Sequence, residues 1–122
     1  MSTLGVMPIV ERMTDVLVEA LRPQAVVLFG SFAKGSAKPT SDIDLLVVWE
    51  TPLPPMLRER SVLPLLHNFG IPVDAVIRTP AEVAQEAMRC HSFVHSVLRS
   101  GQTVYQDEGY SLPVPADPRG VS

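Results

Sequence analysis

Two short residue groups could do chemistry in this chain: Gly30-Ser31 and, after a spacer of about ten residues, Asp42-Ile43-Asp44. In an extended strand alternate side chains share a face, so Asp42 and Asp44 would project together, Cα atoms about 6.6 Å apart at ~3.3 Å per residue. Two like charges ~4 Å apart cost roughly 4 kcal/mol at an effective dielectric of 20, and desolvation adds to that. A divalent cation resolves the conflict. Oxygen-only ligands on a firm scaffold suit Mg²⁺, which keeps several waters and is commonly completed by phosphate oxygens. Gly30 lets the backbone turn sharply and approach a phosphate. Ser31 offers a hydroxyl and opens a short helix whose free N–H groups favour anions.

Asp74 adds a third carboxylate and is the one acidic residue of the apolar run Ile71-Pro72-Val73-Asp74-Ala75-Val76-Ile77. If that run pairs beside the Asp42–Asp44 strand, Asp74 could complete one metal's ligand set and take a proton from an attacking hydroxyl. The elements that must position these groups are legible around them. Val26-Val27-Leu28-Phe29 and Leu45-Leu46-Val47-Val48 are short, apolar and bounded by Gly, Pro, Ser or Thr, so both read as buried strands. Ile9, Met13, Val16, Leu17, Ala20 and Leu21 keep helical spacing and predict a covering helix from Pro8 to Leu21, ended by Pro23. A second helix is expected from Pro55 to Phe69, split or kinked by Pro64 and stopped by Gly70. Thr79-Pro80-Ala81-Glu82 is a capping box opening a helical region to Ser100, with a break expected between Arg89 and Ser92.

These residues resemble the nucleotidyltransferases of the DNA polymerase β superfamily, most closely the minimal nucleotidyltransferases. The shared pattern is Leu28-Phe29-Gly30-Ser31-Phe32-Ala33-Lys34-Gly35, then Ser41-Asp42-Ile43-Asp44-Leu45-Leu46-Val47, then Val73-Asp74-Ala75-Val76. It extends over roughly Val10 to Tyr105, including a closing helix, Gly101 and a short apolar-aromatic strand. The resemblance implies an α/β (α+β) fold of the polymerase β-like palm type, a small mixed sheet covered by helices. It also implies Asp42, Asp44 and Asp74 as catalytic residues holding two Mg²⁺ ions, with Gly30, Ser31 and Lys34 toward the nucleotide. Lys34 stands where many relatives carry Arg. It keeps the charge but loses the bidentate fork.

By the same resemblance the donor is ATP, and the reaction is transfer of AMP to a HEPN-type toxin protein by its antitoxin. Two other readings stand beside it: a docking module that neutralises a partner without catalysis, and a transferase acting on a small molecule such as an aminoglycoside from a homodimeric cleft. Because the larger relatives append an acceptor-holding domain that is absent here, a partner or a second copy of the chain is expected to complete the site.

Composition narrows the classes further. With 122 residues and 46% hydrophobic content, one modest core is expected. The expected division is a flexible start over 1–7, one domain over 8–105 and a Pro-rich tail over 106–122, disordered or ordered by a partner. A net charge of -3 with scattered basic residues gives no cationic stripe, which argues against tight nucleic-acid binding. One cysteine, Cys90, excludes an intrachain disulfide framework. No apolar run approaches the ~18 residues of a membrane span and no signal peptide is legible, so a cytoplasmic location is expected.

Other residues have blander readings. His91 and His95 at i, i+4 could chelate zinc, but no further ligand segment accompanies them. His67 reads as an exposed helix residue. Trp49 reads as packing at the sheet's end, with stacking on a base as the alternative. Arg78 is a candidate salt-bridge mate for Asp74, and Asp42 could instead be a turn residue after Pro39-Thr40-Ser41.

Overall fold

Three short apolar runs pair with a more polar fourth strand into one mixed sheet, which buries the apolar faces. In a computed structural model, which describes residues 3–38 and 40–116, β1 (Ala25–Phe29), β2 (Ile43–Val48), β3 (Val73–Arg78) and β4 (Gln102–Gln106) lie in the order β3-β2-β1-β4. β1 is antiparallel to both β2 and β4, while β2 and β3 run parallel. The parallel pair needs a crossover, supplied by α3 (Pro55–Val62) and a 3-10 helix (Leu63–Phe69). The break falls at Leu63, one residue before Pro64, as the proline demands, and Gly70 closes the segment in the left-handed conformation.

Alternation along the strands sorts their side chains into two cores. Val26, Leu28, Ile43, Leu45, Val47, Ala75 and Ile77 face α1 (Thr3–Leu21), α2 (Ser31–Lys34) and the crossover. Ala25, Val27, Leu46 and Val48 face Val83 of α4 (Pro80–Ala87) and Val94 and Val97 of α5 (Phe93–Ser100). The capping box of α4 is formed, with Thr79 Oγ1 accepting from Glu82 N–H and the Glu82 carboxylate accepting from Thr79 N–H at 2.8 Å.

Two boundaries differ from expectation. α1 begins at Thr3, ahead of Pro8, because Val6 continues the buried stripe of Val10, Met13 and Leu17 and is fully enclosed. The flexible start expected over 1–7 is therefore helix from Thr3 onward, and residues 1–2 lie outside the described ones. The tail is also partly ordered. Tyr110 and Leu112 pack on the second core, Ala116 N–H donates to Ala87 O at 2.9 Å, and His95 Nε2 lies 2.5 Å from Ala116 O. Residues 117–122 of the tail expected to be disordered or ordered by a partner lie outside the described residues. No helix among the described residues is long and apolar enough to cross a membrane.

Candidate active site

The end of β1 and the beginnings of β2 and β3 meet at one edge of the sheet. Phe29 is in register with Asp44, and Asp44 is in register with Asp74. Directly opposed strand residues share a face, and parallel neighbours lie about 4.8 Å apart. Asp44 and Asp74 therefore stand side by side on the α4–α5 face, just beyond where those helices cover it. Asp42 precedes β2 on the same alternation and is exposed, as is Asp74, whereas Asp44 is half-buried.

The electrostatics follow from that placement. Burial first, then the charge of Asp74, then that of Asp42 push the Asp44 carboxyl above its ordinary value. Among the described residues none of the three aspartates forms an ion pair: Arg78, the candidate mate of Asp74, instead donates from Nε to Glu86 at 3.1 Å. The turn before β2 is tied by Ser41 Oγ, which accepts from Lys38 N–H at 2.8 Å, so Asp42 has no turn-closing role there.

Gly30 shapes the other side. Its φ of 76° and ψ of -154° are open essentially to glycine alone, and a Cβ there would overlap Asp44 Oδ2 and lie 3.1 Å from Asp44 Cγ. The carboxylate is thus laid against bare backbone. Ser31 is the first residue of α2, whose N-cap is Gly30 without a side-chain cap, so the Ser31 hydroxyl does not cap that helix. Lys34 ends the four-residue helix and is exposed.

The donor set is one that a hard divalent cation fits: all oxygen, one carboxylate half-buried against a glycine and uncompensated by any cation among the described residues. Asp44 and Asp74 are the pair that could share it, with Asp42 adjoining. Among the described residues no group of three or more His, Cys, Asp or Glu side chains is placed to hold a metal ion, so Asp42, Asp44 and Asp74 do not converge as a three-carboxylate ligand set. An open site completed by water and phosphate suits Mg²⁺ better than a dedicated cage does.

Other candidates fall away from this edge. Trp49 lies five residues past Asp44, on the opposite alternation, and packs against the larger core, which removes the base-stacking alternative. His95 is buried and engaged with Ala116 O, while His91 is exposed, so the pair does not chelate. A cleft of about 390 Å³ lined by Val18, Glu19, Arg22, Pro23, Tyr105 and Asp107 opens at the far end of the sheet and contains none of the site's residues. Sequence reasoning missed Phe93, an exposed ring beside Phe29. Its position in a helix gave no signal that it would return to this face.

The nucleotidyltransferase domain family matches residues 10–101, most of the chain and the whole of this edge. The chain belongs to that family. A candidate protein adenylyltransferase of Methanocaldococcus jannaschii is 25% identical over 92 residues, covering 70% of this chain and 60% of that relative, so the match spans less than two thirds of it. A crystal structure of a candidate nucleotidyltransferase from Sulfolobus solfataricus shares the fold at a TM-score of 0.63 and 18% identity, covering 91% of this chain and 90% of the other. A toxin–antitoxin structure with AMP-PNP aligns at a TM-score of 0.56 and 20% identity, over 81% of this chain and 75% of its own. The expected fold class and family are thereby borne out.

Proposed function

We propose that this nucleotidyltransferase domain transfers AMP from ATP to a hydroxyl on a partner protein, in a Mg²⁺-dependent reaction, as the antitoxin of a HEPN-type toxin. The observation that carries the reading is the register of Asp44 with Asp74 beside Gly30, which gathers acidic oxygens and a phosphate-accepting bend at one sheet edge. The adenine donor and the protein acceptor are supported by relatives named for protein adenylylation and for a toxin–antitoxin pair with an ATP analogue.

In this reading Ser31 Oγ, the free N–H groups opening α2 and the Lys34 ammonium receive the β and γ phosphates. Asp42, Asp44 and Asp74 would hold Mg²⁺, which when bound neutralises charge on the α phosphate and the departing pyrophosphate. Asp74, exposed at the strand start, accepts the proton of the acceptor hydroxyl as its oxygen bonds to the α phosphorus. The bond from that phosphorus to the bridging oxygen breaks, and pyrophosphate leaves. Positioning and charge complementarity do the catalysis, with no covalent enzyme intermediate.

The test mixes the chain with α-labelled ATP, Mg²⁺ and the protein encoded beside it. Label should pass to the partner and be lost with Asp42→Asn and Asp44→Asn. Unaltered transfer in both variants would overturn the ligand assignment. Neutralisation of the partner without label, surviving both substitutions, would replace catalysis by docking.

A further inference from the structure

Phe93 is an aromatic side chain that the fold leaves partly exposed. Among the described Phe, Trp and Tyr residues it keeps the most surface exposed, at 38%, while Phe32 is fully buried and Phe29, Trp49, Phe69, Tyr105 and Tyr110 are half-buried.

Its position relative to the carboxylates follows from two contacts. The Phe93 ring meets the Phe29 ring at 5.2 Å between centroids and 80° between planes, and Phe29 is the cross-strand partner of Asp44. On its other flank the Arg78 guanidinium lies 6.0 Å from the Phe93 centroid. Arg78 shares a face with Asp74 but stands four residues further along β3. A ring touching both must lie over the rows between them, directly behind the Asp44–Asp74 pair.

The ring is also held in place. Ser92 caps α5, accepting from His95 N–H at 3.0 Å while donating to Glu86 O at 2.6 Å, which ties the first turn of α5 to α4. Glu86 in turn fixes the Arg78 guanidinium. Phe93 is therefore a preorganised apolar wall bordering the polar edge, not a loose surface residue.

We infer that Phe93 is the residue against which the donor's purine base packs, so that it sets preference for a purine nucleotide over a bare polyphosphate. This rests on the nucleotidyl-transfer reading above. With the phosphates at Gly30-Ser31 and the α phosphate at Asp44 and Asp74, the base must emerge along the face or away from it. Among the described residues of the α4–α5 face, Phe93 is the exposed aromatic ring, and it contacts Phe29, the cross-strand partner of Asp44. Stacking on a fixed ring costs little ordering and tolerates any base with a π-face, larger purines most.

The test measures Mg²⁺-dependent binding of ATP and of inorganic tripolyphosphate by calorimetry to the wild-type chain and to Phe93→Ala, Phe93→Leu and Phe93→Trp. ATP affinity should fall about tenfold in the Ala and Leu variants and be retained in the Trp variant. Tripolyphosphate affinity should be the same in all four. Phe93→Leu keeps apolar bulk at the start of α5, so the test survives if the alanine variant unfolds. Equal losses for ATP and tripolyphosphate, or unchanged ATP binding in both truncations, would overturn the inference while leaving nucleotide binding intact. A wild-type chain that binds neither ligand would instead overturn the functional reading, and the inference with it.

Discussion

Asp44 lies directly opposite Asp74 across a parallel strand pair, with the Gly30 backbone against its carboxylate. The folded chain therefore holds a half-buried anion beside two like charges, and the Asp44 carboxyl titrates above its ordinary value of 3.8.

The first prediction concerns pH and metal. A carboxyl whose folded pKa is raised binds its proton more tightly in the native state, so stability falls as pH rises from the unfolded value through the folded one. At neutral pH that penalty is fully present. Asp44→Asn is expected to raise stability there by on the order of 0.5–1 kcal/mol, as for a single partly solvated charge contact. Added Mg²⁺ should raise the melting temperature of the wild-type chain and do so far less for Asp44→Asn. Thermal melts across pH, with and without Mg²⁺, check both; a variant less stable than wild type at neutral pH would contradict the electrostatic account.

The second prediction separates two glycines. Gly30→Ala forces a Cβ into the Asp44 carboxylate and a backbone conformation closed to alanine, so it is expected to cost about 2–3 kcal/mol and to abolish transfer. Gly101→Ala is also crowded, with Val97 O at 2.6 Å and Val27 Cγ1 at 2.8 Å of the new methyl, but at the junction of α5 and β4. It should lower stability by about 1–3 kcal/mol while leaving activity per folded molecule near wild type. Urea midpoints together with label transfer at matched folded fraction distinguish the two.

Much of this was legible because local signals and tertiary demands coincide. The strands around Gly30-Ser31 and Asp42–Asp44, the split at Pro64 and the Thr79–Glu82 box each depend on a short run of residues whose chemistry admits one conformation. The start of α1 was misread because Pro8 looks like a first-turn proline, while the informative signal, Val6 at helical spacing from Val10, Met13 and Leu17, lies before it. The contacts of the tail were not legible for the opposite reason. Its Pro-rich composition offers no local structure, and its order comes from partners in α4 and α5 that no local pattern reveals. Phe93 escaped notice because its role depends on which strand face α5 packs against.

The third prediction follows from Arg58 and Glu82, paired at 2.6 Å with Arg58 nearly enclosed. Burial alone would raise the Glu82 carboxyl. The Thr79 N–H bond, the Arg58 bond and charge, and the Thr79 hydroxyl together outweigh it and lower the pKa below 4.5. A depressed carboxyl contributes stability above its unfolded pKa and loses it as pH falls through the folded value, the reverse of Asp44. Glu82→Ala strands a buried guanidinium and removes the capping-box acceptor, at an expected cost of about 2–3 kcal/mol. Glu82→Gln keeps the acceptor and should cost about 1 kcal/mol. Denaturant midpoints at neutral and acid pH check this, and the gap between wild type and Glu82→Gln should narrow in acid.

The fourth prediction concerns the tail. Tyr110 and Leu112 cover the second core, and burial raises the Tyr110 phenol's pKa. The segment is pinned at Ala116 by two polar contacts, Ala116 N–H to Ala87 O and His95 Nε2 to Ala116 O. Deleting residues 107–122 uncovers part of that core and leaves the enclosed His95 ring without its acceptor. The lost apolar cover, about 1 kcal/mol for each half-buried side chain, is partly offset by the conformational entropy returned to the chain. A net loss of about 1–2 kcal/mol is expected, with faster amide exchange concentrated in α4 and α5 rather than in α1. Amide exchange that accelerates uniformly, or not at all, would mean that the second core stands without its strap.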